Sequence, residues 1–150
     1  MKVRRLLPGE DPGSAIILLQ RFFREEGFET PDAAIAANAR RMLDVAACAI
    51  LLAEAEGQAI GVATVSMEFG IEYGWSAELG DLYIVPEWRG RGVARALVTA
   101  AEQYLREQGA AGYQVTVTPA GEGQHGLRAF YRALGFAEEG REILFRKLQE

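Results

Sequence analysis

Between Trp75 and Thr118 the sequence spells strand, helix, strand without a break, and this run limits the fold more than any other. Trp75–Val85 reads as a strand. From about Arg91 to Gln108 the apolar residues Val93, Leu97, Ala100, Ala101, Tyr104 and Leu105 fall on one helical face, and Gly109 closes the helix. Tyr113–Thr118 is β-branched and reads as the next strand. A strand–helix–strand crossing brings the chain back in the same direction, so part of the sheet must be parallel, with helices covering it. A second crossing follows: a Gly-rich loop over Pro119–Gly123, a helix over about Gln124–Leu134 capped by Gly135, and one or two closing strands within Phe136–Leu148.

The N-terminal half supplies the remaining elements. Lys2–Leu7 reads as a short strand stopped by Pro8-Gly9, and Pro12–Glu26 as a helix burying Ile16, Leu19 and Phe23. Thr30-Pro31-Asp32 predicts a helix start, with a capping hydroxyl, proline at the first position and an acid facing the dipole; that helix runs to about Leu43. Ala47–Ala55 and Ala59–Phe69 form a hairpin through Glu56-Gly57-Gln58, and Gly70–Gly74 turns into the strand at Trp75. The order β-α-α-β-β-β-α-β-α-β predicts an α/β fold of the α+β type, built on a mixed sheet.

Composition matters here mainly for what it excludes. Residues 1–150 are expected to form one domain, long enough to bury a core. A net charge of −5 argues against a nucleic-acid partner. The first residues carry charge but no apolar core of a signal peptide, and the longest apolar run, Val45–Ala53, is nine residues, too short for a membrane span. A single cysteine forms no internal disulfide. Together these readings predict a cytoplasmic protein with no membrane partner.

The helix at Arg91 has an unusual start. Trp88, Arg89 and Gly90 precede it where Ser, Thr, Asp or Asn would ordinarily satisfy the free N–H groups. Open amides at the positive end of a helix dipole, with glycines that let a ligand approach the backbone, make an anion site suited to phosphate. A P-loop is excluded because no lysine stands nearby, and the dinucleotide fingerprint fails at Arg95 and lacks its acid after the next strand, where Thr118-Pro119 sits. What remains is Arg89-Gly90-Arg91-Gly92-Val93-Ala94 following a strand that ends Tyr-Ile-Val.

That hexapeptide resembles the [RQ]-x-x-G-x-[GA] signature of the GCN5-related N-acetyltransferases, placed as in that family between a strand and a helix. A second stretch, Gln124-His125-Gly126-Leu127-Arg128-Ala129-Phe130-Tyr131, then Gly135-Phe136, resembles the family's C-terminal motif, with Gln124 and Leu127 where the family often has Asn and Ala. The resemblance covers essentially the whole chain. It implies the family's acyl-CoA N-acyltransferase fold, with acetyl-CoA as co-substrate and no metal. The backbone of Arg89, Gly90, Arg91, Gly92, Val93 and Ala94 would cradle the pyrophosphate, Ile84 and Val85 would bond the pantetheine arm, and Gln124 would contact the cofactor. Tyr131 would be the general acid. A homodimer is also implied.

The chemistry of amine acetylation sets what else is needed. An amine of pKa about 10 must lose a proton before it attacks, and the leaving thiolate, with a Cys-like pKa of about 8.5, must regain one. Glu78 and Asp81 lie on one strand and are the candidate bases, Glu78 being favoured because its spacing before Arg89 resembles the histone acetyltransferases; an ordered water is an alternative. An odd offset puts the two on opposite faces of a regular strand unless a bulge intervenes. A free N–H at the strand end, that of Val85, is the candidate oxyanion donor. Cys48 in its apolar strand reads as an inert buried thiol, and His125 as a solvated or capping residue.

Substrate clues are the acids Glu25, Glu26, Glu68 and Glu72, an expected mouth for a cationic amine, with Phe69, Tyr73 and Trp75 lining it or packing as hairpin aromatics. The expected function is transfer of acetyl to a primary amine of a small molecule by direct attack in a ternary complex. The alternatives are a protein lysine or N-terminal acceptor, and a non-catalytic acyl-CoA-binding module.

Overall fold

The computed structural model describes residues 1–149. Strands β1 (Lys2–Arg5), β2 (Cys48–Ala55), β3 (Gln58–Gly70), β4 (Gly74–Ile84) and β5 (Tyr113–Val115) form one sheet in sequence order. The first four pair antiparallel, and β5 pairs parallel to β4, as the helical crossing requires.

Helices α1 (Gly13–Glu26) and α2 (Asp32–Met42) lie on one face, and α3 (Val93–Glu107) on the other. The two faces can be told apart at neighbouring positions of β3. Val62 pairs with Tyr83, whose ring lies 5.9 Å from that of Phe22 on α1. Gly61, on the opposite face, has no side chain because α3 lies against it: a Cβ there would stand 3.0 Å from Leu97 Cδ1 and 3.1 Å from Val93 Cγ1. The core between these layers is aliphatic, with Ile50, Val62 and Val65 from the sheet and Val93, Leu97 and Leu105 from α3 among its most deeply buried side chains.

Three expectations are corrected. First, the Gly-rich stretch after β5 is not a loop but a short helix, α4 (Pro119–His125), followed by α5 (Leu127–Ala133). Thr118 accepts from the Gly121 N–H and Pro119 opens the helix, so the start signal was present and the glycines obscured it. Second, Thr30 does not cap α2: that helix starts at Asp32, with Pro31 at its cap position and no side-chain cap. Arg24 instead bonds the carbonyls of Phe28 and Thr30 and the Asp32 carboxylate. Third, the closing strands are not formed, and 137–149 lie without regular structure. Among the described residues no helix is long and apolar enough to cross a membrane.

Candidate active site

The site begins where β4 and β5 part. Their parallel pairing ends at Leu79 with Val115, while β4 continues through Ile84. At the same place β4 carries an extra residue: Leu79 pairs with Val65 and Asp81 with Thr64, leaving Gly80 as a bulge. The bulge answers the question of the two acids. Glu78 pairs with Ser66 and Asp81 with Thr64, and residues two apart on β3 share a face, so both carboxylates project on the α1 side of the sheet.

The bulge also decides which backbone groups are free. Ahead of it, the Trp75 carbonyl and Ala77 N–H bond toward β5. Past it, the Val85 N–H donates to the Ile60 carbonyl on β3 at 2.9 Å. Val85 is therefore engaged and not free as expected. By alternation the N–H groups of Leu82 and Ile84 and the Leu82 carbonyl point into the gap where β5 has left, while the Ile84 carbonyl accepts from Arg89 Nε. Leu82 escaped the sequence reading because only the bulge tells which parity faces outward.

Beyond Ile84 the chain turns through a 3-10 segment, Pro86–Trp88, and enters α3 at Val93 with Gly92 as its cap residue. Gly90 and Gly92 have φ of 76° and 84°, a left-handed backbone that favours glycine. No side chain caps the helix, and the first-turn N–H groups of Val93, Ala94 and Arg95 have no intrahelical acceptor. The side chains of the two arginines turn away from this opening. Arg89 donates to the Ile84 carbonyl (3.0 Å) and to Glu25 (3.0 Å), with its guanidinium 5.5 Å from the Tyr83 ring centre; Arg91 stacks 4.8 Å from Trp88. The turn thus opens with backbone, not guanidinium, at its surface.

Electrostatics separates the two acids. Burial pushes the Asp81 carboxyl up, the Thr64 hydroxyl that donates to its Oδ2 at 2.5 Å opposes that shift, and the nearby Glu78 charge adds to it. Glu78 accepts from the Thr116 hydroxyl at 3.0 Å, a bond between β4 and the departing end of β5. Tyr131, on α5, is buried with its ring 5.4 Å from that of Phe136, and burial pushes its phenol up to about 12.

The family model described as the acetyltransferase (GNAT) family matches residues 15–136. The chain belongs to that family. Among curated relatives, an aminoglycoside N(6')-acetyltransferase type 1 of Stenotrophomonas maltophilia is 30% identical over 109 residues, 70% of this chain and 69% of the relative. The enzyme of that name from Salmonella typhimurium is 29% identical over 121 residues, 78% and 81% of the two chains. Among solved structures, an aminoglycoside N-acetyltransferase in complex with CoA aligns with a TM-score of 0.82 at 24% identity, covering 99% of this chain and 95% of that one. A probable acetyltransferase aligns over both whole chains with a TM-score of 0.85 at 20% identity. These two share the fold.

In this GNAT N-acetyltransferase the expected acidic mouth is only partly assembled. Glu68 pairs with Ser76 on the same sheet face as Glu78 and Asp81, so a row of acids runs along β3 and β4. Glu72 is drawn away into two hydrogen bonds with Arg141, at 3.0 and 2.8 Å. Glu26 ends α1 and pairs with nothing among the described residues, whereas its neighbour Glu25 holds Arg89. Phe69 and Trp75 pair edge-to-face at 5.2 Å on the opposite face of the sheet, and so pack as hairpin aromatics rather than lining the acidic row. Gln124 and His125 close α4, both exposed. Cys48 has its thiol pushed up by burial, which disfavours the reactive thiolate. Among the described residues no cluster of His, Cys, Asp and Glu is arranged to hold a metal. Surface depressions of about 410 and 140 Å³ flank α3, and none of Glu78, Asp81 and Tyr131 lines them.

Proposed function

We propose that the chain, acting as one domain over residues 1–150, transfers the acetyl group of acetyl-CoA to a primary amine of a small cationic molecule, by direct attack within a ternary complex. The observation that carries this reading is the bulge at Gly80. It puts two carboxylates on one face while turning the next backbone groups into the gap beside β5.

In this reading the open amides at the start of α3, from Gly90 to Ala94, hold the pyrophosphate, with Arg89 bracing the loop from behind. Leu82 and Ile84 bond the pantetheine arm, and one of their N–H groups stabilises the oxyanion, the part expected of Val85. Asp81, its pKa raised, is better matched than an ordinary carboxylate to taking the proton of the amine; Glu78 beside it supplies the field that attracts a cation. The amine nitrogen bonds to the thioester carbonyl carbon, the C–S bond breaks, and the sulfur takes up a proton. A phenol at about 12 is fully protonated at neutral pH. Complete transfer from it to a thiolate of pKa about 8.5 would be uphill by roughly 5 kcal/mol. Tyr131 therefore serves as a hydrogen-bond donor to sulfur as charge grows there, with water completing the transfer.

The acid row of Glu68, Glu78 and Asp81 suits an acceptor with several ammonium groups. The aminoglycoside N-acetyltransferases among the relatives support aminoglycosides as the first class to try. A cytoplasmic setting, where acetyl-CoA is made, and a homodimer complete the proposal.

The test is thermal unfolding with acetyl-CoA, NADH and ATP at matched concentrations, followed by a thiol-release assay over a panel of amines. A ligand at a hundred times its dissociation constant stabilises by about 2.7 kcal/mol, which for a domain of this size raises Tm by roughly 5–11 °C. A shift with acetyl-CoA alone, with thiol release driven by a polyamine or aminoglycoside, is expected. An equal shift with all three ligands would reduce the α3 start to a generic anion site.

A further inference from the structure

The carbonyl of Ile84 sits where an acceptor is unwelcome. Before it in sequence, the N–H groups of Leu82 and Ile84 turn into the gap beside β5. After it, the first turn of α3 adds the open N–H groups of Val93, Ala94 and Arg95. A carbonyl exposed between these two sets of donors would repel a bound anion or a developing oxyanion. Arg89 removes that problem by donating from Nε to the Ile84 carbonyl at 3.0 Å.

What keeps Arg89 in that place comes from a distant part of the chain. Its Nη2 donates to Glu25 Oε2 at 3.0 Å. Below the guanidinium, 5.5 Å away, lies the ring of Tyr83, which is buried and packed against Phe22. A planar fork with these three neighbours has little freedom left. Glu25 stands in the last turn of α1, where an acid opposes the helix dipole. The helix therefore gains nothing from this carboxylate, whereas the Arg89 turn gains a fixed partner. The two side chains are 37% and 39% exposed, so the pair contributes little to stability and its effect is on geometry. Held by Arg89, Glu25 is also withdrawn from the acidic mouth, in which Glu26 beside it has no partner among the described residues.

We propose that Glu25 is a positioning residue for the reaction: by holding Arg89 on the Ile84 carbonyl, it keeps that acceptor masked and fixes the turn from which the α3 amides open. It acts through Arg89 and touches neither acetyl-CoA nor the amine. Without its hydrogen bond the guanidinium is free to leave the carbonyl, and the thioester and pyrophosphate then meet a displaced turn and a bare acceptor. The hydrogen bond does the holding rather than the charge, so a neutral acceptor of the same length suffices. The inference rests on the acetyl-transfer reading and assigns a part within it.

The experiment compares Glu25→Ala and Glu25→Gln with the parent chain in steady-state kinetics, varying acetyl-CoA and the acceptor (kanamycin or spermidine) in turn. Glu25→Ala is expected to lower kcat/KM for acetyl-CoA about tenfold, with the acceptor KM within about twofold of the parent. Glu25→Gln is expected to restore most of that loss. A readout without ligand goes with it: the Arg89 Nε–H should give a slowly exchanging NMR signal in the parent and in Glu25→Gln, and lose it in Glu25→Ala. A higher acceptor KM in both variants would return Glu25 to the acidic mouth and overturn the proposal. Parent-like kinetics in Glu25→Ala would overturn it as well, leaving an ordinary surface pair, and so would a fast-exchanging Arg89 signal in the parent. A parent that shows no melting shift with acetyl-CoA would overturn the acetyl-transfer reading and this role together. A parent that shifts, beside a Glu25→Ala variant that behaves like it, would overturn this role alone.

Discussion

The Thr64 hydroxyl donates to Asp81 Oδ2 at 2.5 Å, across the position where β4 carries its extra residue. This bond favours the charged form of a carboxylate that burial and the neighbouring Glu78, on the same face, both push toward protonation. A general base benefits from that tension, because a carboxylate of raised pKa takes a proton more readily than an ordinary one.

Asp81→Asn is expected to lower kcat by about 10²–10³-fold while leaving acetyl-CoA affinity within a few-fold. The low-pH limb of the kcat/KM profile should disappear with it. Stability should move the other way. The folded pKa lies above the unfolded one, so the ionised group destabilises the fold at neutral pH, and protonation relieves this as pH falls through the raised value. The variant should therefore melt higher than the parent at pH 7, with the gap closing in acid. Wild-type turnover would move the base to Glu78 or to water.

Tyr131→Phe is expected to bind acetyl-CoA normally and to turn over about 10- to 100-fold more slowly. The raised phenol gives a second readout. Its stabilising contribution is full below pH 10, the unfolded value, and is lost as pH rises toward about 12, roughly 3 kcal/mol in all. Denaturant midpoints measured from pH 9 to 11.5 should fall more steeply for the parent than for the variant. Equal slopes would place the hydroxyl in water.

At Gly92, φ is 84° and nothing lies within 4 Å of the point where a Cβ would stand, so a side chain there meets strain but no clash within the protein. Gly92→Val should cost about 1–2 kcal/mol of stability and weaken acetyl-CoA binding by much more than that strain explains, since the side chain would stand in the anion's approach. Calorimetric titration against acetyl-CoA decides it. Loss of stability with unchanged affinity would put the pyrophosphate elsewhere.

Gly61→Ala probes the support of the same site from the core. Its Cβ would press on Leu97, Val93 and the Tyr83 carbonyl at 3.0–3.2 Å, forcing α3 away from the sheet. Overpacking of this kind costs about 1–3 kcal/mol, or roughly 2–12 °C in Tm for a domain of this size. Because Val93 opens α3, acetyl-CoA affinity should fall as well. A stable variant with normal affinity would show that the helix start is not held by this packing.

Most of the framework was legible in the sequence because it depends on local pattern. Apolar periodicity located α1, α2, α3 and the first four strands to within a few residues, and Gly90 and Gly92 with no capping side chain marked the open start of α3. The hexapeptide at Arg89 and the stretch around Tyr131 carried the family. Where local signals conflicted, reading them failed: Thr118-Pro119 outweighed the glycines of α4, while the Thr30-Pro31 signal produced no hydroxyl cap.

The tertiary structure alone decided everything that depends on register. Whether Glu78 and Asp81 share a face, and whether the N–H of Val85 or those of Leu82 and Ile84 turn away from β3, depends on one unpaired residue, Gly80. A bulge arises from how two strands fit each other, and no periodicity in β4 by itself announces it. Likewise, Glu72 met Arg141 and Glu25 met Arg89 only when distant segments were brought together. Strand and helix type follow from neighbours a few residues away, so the sequence determines them; the chemistry of the site depends on contacts across the sheet, which exist only once the chain has folded.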